Sequence, residues 1–177
     1  ASEFEGVRGP GGACASSILG VFYTGWLPAH LGSMRYDGPD AMYYSFAVIF
    51  VIWASDISSY LVGSLWGRHK LCPVLSPGKT VEGAVSGMLV SALVGAVCFR
   101  FLAIGPGAGA GALFGGAMAA VGAAGDLFES ALKRQAGVKD SGRLLPGHGG
   151  VLDRFDSLIF AAPVAYYLRA IYLPALL

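Results

Sequence analysis

The sequence predicts an all-α fold: a polytopic integral membrane bundle of about five transmembrane helices. Three observations carry that prediction. Hydrophobic residues make up 55% of the chain and charged residues 13%, against about 25% charged in a typical soluble domain. Mean hydropathy is +0.62. Apolar runs of about 20 residues, the length that spans a bilayer as a helix, recur along the chain. None of the runs alternates as a barrel strand does, and a spanning segment must satisfy its own backbone. The 27 glycines suit close helix contact in lipid.

Taken in order, residues 1–12 read as a flexible leader or cloning remnant, without the charged-then-apolar pattern of a signal peptide. Residues 13–177 form the membrane-embedded domain. Its first apolar segment is 13–31, weakened by Pro28, which lacks a backbone donor. The second is 41–66, with AMYYSFAVIFVIWA at its heart; the third is 80–104. The fourth, 109–132, is rich in Gly and Ala, and the fifth is 155–173. Arg68, His69, Lys70 and Lys79 lie between the second and third segments, and Lys133, Arg134, Lys139, Arg143 and Arg154 between the fourth and fifth. The positive-inside bias places both loops, and the N-terminus, in the cytoplasm. Arg169, near the opposite end, runs against the scheme.

A net charge of +1 gives no bulk electrostatic case for nucleic acid. Cys14, Cys72 and Cys98 share no metal-binding or disulfide spacing.

The charges that remain are concentrated. Asp56, within WASDISSY, is a carboxylate in an apolar helix and should face the bundle interior, with Ser55, Ser58 and Ser59 as polar neighbours; a helix-locking polar cluster is the plainer reading. In GRHKLCPVLSPGKTVEG, residues 67–83, Ser76-Pro77-Gly78 reads as a turn, Thr80 as a helix cap and Glu82 as a first-turn acid. Lys79 beside that helix N-terminus makes a phosphate contact plausible in chemistry. A Walker A loop is excluded, because Pro73 stands where its first glycine belongs. The plainer alternative is a basic loop resting on anionic lipid.

Residues 125–156, GDLFESALKRQAGVKDSGRLLPGHGGVLDRFD, read as the working site, since charge at the end of an apolar helix is costly unless it is used. Asp126 and Glu129 lie on neighbouring faces of one helix. Ser130 follows Asp126 on the same face, with Lys133 and Arg134 one turn on; an intrahelical charge network is the plainer account. Lys139-Asp140-Ser141-Gly142 and Pro146-Gly147-His148-Gly149-Gly150 form a loop whose glycines let backbone approach a ligand. His148 could serve as acid, base or phosphate donor, or could simply be solvated. Asp153 and Asp156 share one side of the next helix start, flanking Arg154. With Asp126 on a facing helix they would make a Mg²⁺ site, an ion that prefers oxygen ligands and keeps several waters. No Cys/His set for zinc exists. Acids for a metal and bases for phosphates are the parts that phosphoryl or nucleotidyl transfer requires.

These residues also carry a family resemblance. Ser130-Ala-Leu-Lys133-Arg134, four residues, Lys139-Asp140-Ser-Gly, then Leu145-Pro-Gly-His148-Gly149-Gly150-Val-Leu-Asp153-Arg154-Phe-Asp156 resembles the signature of the phosphatidate cytidylyltransferases, the CDP-diacylglycerol synthases. GRHKLCPVLSPGKTVEG and the Asp56 helix are similar too, so the resemblance covers about residue 18 to the C-terminus. It implies transfer of a cytidylyl group from CTP to phosphatidic acid, giving CDP-diacylglycerol and pyrophosphate, in contact with membrane lipids and on the cytoplasmic side. It implies Mg²⁺ on Asp126 and Asp153, with Asp156 beside them and K⁺ as a second cation. Lys133, Arg134, Lys139, Asp140, His148 and Arg154 fall on the other signature positions. Asp56, Ser76, Lys79, Thr80, Ser130, Gly149 and Gly150 are the expected substrate contacts. Members tend to be homodimers, and usually begin with further transmembrane helices, so this chain looks like the C-terminal catalytic half. It departs from the pattern at Ser55, where Asn is expected. A related lipid or polyprenol nucleotidyl- or phosphotransferase is the alternative enzyme, and an ion-coupled transporter lined by Asp56 and Asp126 the alternative class. The gathering of charge at one set of helix ends favours an enzyme.

Overall fold

A computed structural model describes residues 9–36, 38–142 and 150–172, with side chains as far as residue 170. The described chain is a helix bundle with one small hairpin. Helix α1 is Pro10–Val21, a π-helical turn follows at Phe22–Trp26, and α2 is Leu27–Arg35. Pro28 therefore does not break the first segment. It sits in the first turn of α2, where a missing N–H is tolerated, and the wider turn before it absorbs the irregularity.

Helix α3 is Ala41–Trp66, α4 is Val81–Phe101 and α5 is Ala108–Gln135. Among the described residues these three helices are long and apolar enough to cross a membrane. Helix α3 has the bounds the sequence suggested. Helix α5 runs on past 132, which brings Lys133 and Arg134 onto the helix. Helix α6, Leu152–Tyr172, starts ahead of the apolar segment, so Asp153 and Arg154 are helical too.

Small residues let α4 and α5 meet at backbone distance. A Cβ on Gly95 would strike the carbonyl of Gly111, and one on Gly115 the carbonyl of Ser91. Ser91 Oγ in turn donates to the carbonyl of Val51 at 2.6 Å, tying α4 to α3 inside the core. Tyr44, Val48, Val51, Phe99, Phe114 and Met118 fill the centre, and Tyr44 donates to the Ala165 carbonyl at 2.8 Å. The outer face of α3 shows Phe46, Phe50, Trp53 and Ile57, a surface suited to an apolar solvent.

Arg169 resolves its own conflict with the charge bias. It is 4% exposed, donates to the Met34 carbonyl at 3.4 Å and lies 5.5 Å over the Tyr44 ring. It is a buried structural cation and not a loop charge.

The stretch between α3 and α4 departs from an all-helix reading. Strands β1, Lys70–Cys72, and β2, Ser76–Thr80, pair antiparallel with Lys70 opposite Thr80 and Cys72 opposite Ser76. The turn falls at Pro73–Leu75, and Ser76-Pro77-Gly78 lies within β2. The pairing is irregular between Lys70 and Cys72, and a bulge is where a strand can hold a proline without losing a ladder bond.

Candidate functional site

A cleft of about 660 Å³ opens between α3, the hairpin, α5 and the start of α6. Asp56, Lys79, Asp126, Asp153, Arg154 and Asp156 all line it. Four chain segments that are far apart in sequence thus deliver their charges to one place.

The hairpin is anchored at the start of α4. Thr80 Oγ1 accepts from the Gly83 amide at 3.2 Å, the cap the sequence suggested. The Val81 amide donates to the His69 carbonyl at 2.9 Å. Glu82 receives the His69 amide at 3.2 Å and stands 2.6 Å from its Nδ1. Val81 and Gly83 have therefore committed their amides inside the protein, and the charge this segment carries into the cleft is that of Lys79. Its ammonium stands 2.6 Å from Asp126 Oδ2 and 3.5 Å from the Ala123 carbonyl.

Asp126 is consequently not paired with the basic residues of its own helix. Ser130 Oγ donates to Asp126 Oδ1 at 3.5 Å, the one-turn relationship expected. Lys133 instead bridges two other acids: Glu129 Oε2 at 2.6 Å and Asp153 Oδ1 at 2.7 Å. Asp153 Oδ2 accepts from the Ser141 amide at 2.9 Å, the Ser141 hydroxyl at 2.8 Å and the Gly150 amide at 2.7 Å. Asp153 precedes the apolar part of α6. Burial opposes its ionisation, yet the Lys133 ammonium and the Gly150 and Ser141 donors hold its carboxyl well below the usual carboxylate range.

Asp56 finds its partner on another helix: Ser157 Oγ donates to Asp56 Oδ1 at 3.4 Å. Two of the neighbouring serines expected to serve it are engaged elsewhere, while Ser59 lines the cleft. Ser58 Oγ donates to the carbonyls of Ala54 and Ser55, and Ser55 is buried against Gly87. Asp156 Oδ1 accepts from the Ser157 amide at 2.6 Å. Asp56, Asp126 and Asp156 are near enough to repel one another, with Lys79 as the cation set among them.

Ser76 and Thr80 also line the cleft. Arg134, Lys139 and Asp140 are exposed and outside its lining. His148 and Gly149 lie outside the described residues.

Sequence reasoning did not place two residues in the site. Glu129 is 1% exposed, and its spacing of four from Lys133 was the available signal. Tyr23, from the π turn, is buried against Phe128 and Phe160 and within electrostatic reach of Glu129, Asp156 and Asp126. Nothing local in the sequence marks it.

Among the described residues, no three acidic, histidine or cysteine side chains converge closely enough to hold a metal ion unaided. The donor chemistry still suits a hard cation: the cleft acids offer only oxygen, and the ammonium already seated on Asp126 shows that they draw positive charge. Mg²⁺ is commonly held by only one or two carboxylates, with waters and substrate phosphates completing its shell.

Comparison with known proteins gives a consistent result. Residues 5–172 match the profile of a family described as "Cytidylyltransferase family". A "Phosphatidate cytidylyltransferase" of Synechocystis is 39% identical over 188 residues, covering 92% of this chain and 64% of that protein. One from Staphylococcus haemolyticus is 41% identical over 150 residues, 85% of this chain and 56% of that protein. One from Brucella abortus is 41% identical over 153 residues, 86% of this chain and 56% of that protein. The chain thus spans between 56% and 64% of the length of these relatives.

Proposed function

The chain belongs to the cytidylyltransferase family, and from that premise we propose that it is the catalytic half of a membrane enzyme that transfers a cytidylyl group from CTP to phosphatidic acid. The products are CDP-diacylglycerol and pyrophosphate. The observation that carries this reading is the cleft itself. It sets Asp56, Asp126 and Asp156 around Lys79 and is walled on one side by Ile57, Tyr60 and Leu61 of α3, which also face outward. A polar centre with an apolar wall suits a substrate with a charged phosphate and two acyl chains.

In the reaction, an oxygen of the lipid phosphate forms a bond to the α-phosphorus of CTP, and the bond from that phosphorus to the β-phosphate oxygen breaks. A phosphomonoester is already largely ionised near neutral pH, so no protein base is required. Lys79, Thr80 and Ser76 line the side from which the triphosphate would be held, and Lys79 exchanges Asp126 for a phosphate oxygen. Asp126 and Asp156 would hold Mg²⁺, with K⁺ as a second cation, supplying charge neutralisation to the triphosphate and the departing pyrophosphate; Asp153, whose oxygens are taken by Lys133, Ser141 and Gly150, would join them only by giving up one of those contacts. Ser130 orients Asp126, and Arg154 lies at the cleft wall. His148, Gly149 and Gly150 belong to the same signature loop as the ends held by Asp153. The basic loops favour the cytoplasmic side for this centre, and the family resemblance supports a homodimer.

The test is pyrophosphate release by the purified protein in detergent. Release that requires CTP, phosphatidic acid and Mg²⁺ together, and is lost in Asp126→Asn, is the expected result. Release that is indifferent to phosphatidic acid would overturn the substrate assignment.

A further inference from the structure

We propose that Glu129 is a positioning residue: from beneath the cleft it fixes Lys133, and through Lys133 it sets Asp153, which in turn clasps Ser141 and Gly150. The site described above uses Lys133 and Asp153 but leaves Glu129 without a role.

The geometry is a single chain of contacts. Glu129 is 1% exposed, and a carboxylate in that position is costly unless it is paired. Its Oε2 is 2.6 Å from Lys133 Nζ. That ammonium is 2.7 Å from Asp153 Oδ1, and the opposite oxygen of Asp153 takes three donors from Ser141 and Gly150. One carboxylate therefore closes the base of the loop between α5 and α6. The closure is tight, since a Cβ on Gly150 would strike Ser141 Oγ. The two ends cannot move apart without releasing Asp153.

Lys133 alone would not suffice. A lysine stem is long and flexible and gives up side-chain entropy when it is held. Glu129 is four residues before it on the same helix, the more favourable order for such a pair, and is rigidly buried. It aims the ammonium at Asp153. By geometry Glu129 Oε1 has no hydrogen-bond partner among the described residues; the carboxyl stands beside that of Asp156, and Lys133 is its cationic contact. The proposal rests on cytidylyl transfer only for its effect on rate; the clasp stands independently.

Hydrogen–deuterium exchange of the intact protein in detergent reads the clasp directly, at the amides of Ser141 and Gly150. In Glu129→Leu these amides should exchange at least about tenfold faster, roughly the loss of one net hydrogen bond to a charged group. Glu129→Gln keeps an acceptor for Lys133 and should stay within about threefold of wild type by the same measure. Lys133→Met should match Glu129→Leu, and serves if that variant does not fold. Unchanged exchange in whichever of these two variants folds would overturn the proposal, as would equal acceleration in Glu129→Gln. Pyrophosphate release adds the second readout: kcat should fall in Glu129→Leu and recover in Glu129→Gln, with KM for CTP little changed. Faster exchange in a protein that never releases pyrophosphate would leave the clasp standing and remove the reaction.

Discussion

Lys79 Nζ and Asp126 Oδ2 stand 2.6 Å apart, one on a hairpin strand and the other deep along a spanning helix. The ion pair joins the only β structure among the described residues to the acidic centre of the bundle. It also keeps Asp126 balanced while no substrate is present. Neither residue has a second oppositely charged partner of similar closeness among the described residues.

Replacing Lys79 with Met should therefore affect substrate handling more than folding. Pyrophosphate release is expected to fall about 10²–10³-fold, the range for removing a preorganised charge or donor at a reacting phosphate or oxyanion. The melting temperature should fall moderately, by the equivalent of about 1–3 kcal/mol, because the two side chains are only 21% and 33% exposed and Asp126 would be left without its partner. A large loss of stability with normal activity in the surviving fraction would reverse this assignment.

Asp153 predicts a pH dependence of stability. Its folded carboxyl ionises below the ordinary value, so its contribution is fully present above about pH 4 and is lost as pH falls through the folded value. The stability gap between wild type and Asp153→Asn should be constant between neutral pH and about pH 5, then narrow below about pH 4. Thermal unfolding in detergent across that range measures it; a gap that widens on acidification would contradict the bonding described.

The contact between α4 and α5 predicts an asymmetry among glycines. Gly95→Ala would drive a methyl into the Gly111 carbonyl and should destabilise by about 1–3 kcal/mol. Gly109→Ala meets nothing within 4 Å and should be neutral or stabilising by about 0.5–1 kcal/mol through reduced unfolded-state freedom. Denaturant or thermal unfolding of the two variants side by side decides it.

Thr80 should behave as a cap. Thr80→Ala removes the acceptor for the Gly83 amide and should cost about 1 kcal/mol, whereas Thr80→Ser keeps that acceptor and should recover most of it. Equal losses in both would mean that the methyl group, packed against Gly67, matters more than the hydroxyl.

Much of this arrangement was legible in the chain, and the remainder failed for physical reasons. The bounds of α3 followed from a long apolar run, interrupted by Asp56 and its serines, with Gly67 just beyond it. The Thr80 cap and the Asp126–Ser130 turn are local relationships, and local relationships are what spacing reports. The hairpin was hidden because Ser76-Pro77-Gly78 carries strong turn signals, while the bulge that tolerates Pro77 in a strand has no signature of its own. The partner of Asp126 was hidden for a related reason: Lys133 and Arg134 are close in sequence, but Lys79 arrives from a different element. Ser157 serving Asp56 in place of Ser58 is another non-local pairing of that kind. Glu129 is the exception: its four-residue spacing from Lys133 is visible in the sequence, but spacing does not report burial, and burial is what sets this pair apart.

The π turn at Phe22–Trp26 makes the first helical segment sensitive to length as well as to composition. A π turn holds one residue more than an α turn, and one residue is worth about 100° of rotation along a helix. Tyr23 faces Phe128 and Phe160 ahead of that extra residue, while His30 and Met34, after it, face the far part of α6 and the core. Removing a single residue between positions 24 and 26 would restore ordinary helix while turning His30 and Met34 toward lipid. The bundle should thus tolerate conservative exchanges of side chain in this turn far better than it tolerates a deletion. The irregularity works as a phase correction between two halves that would otherwise present incompatible faces.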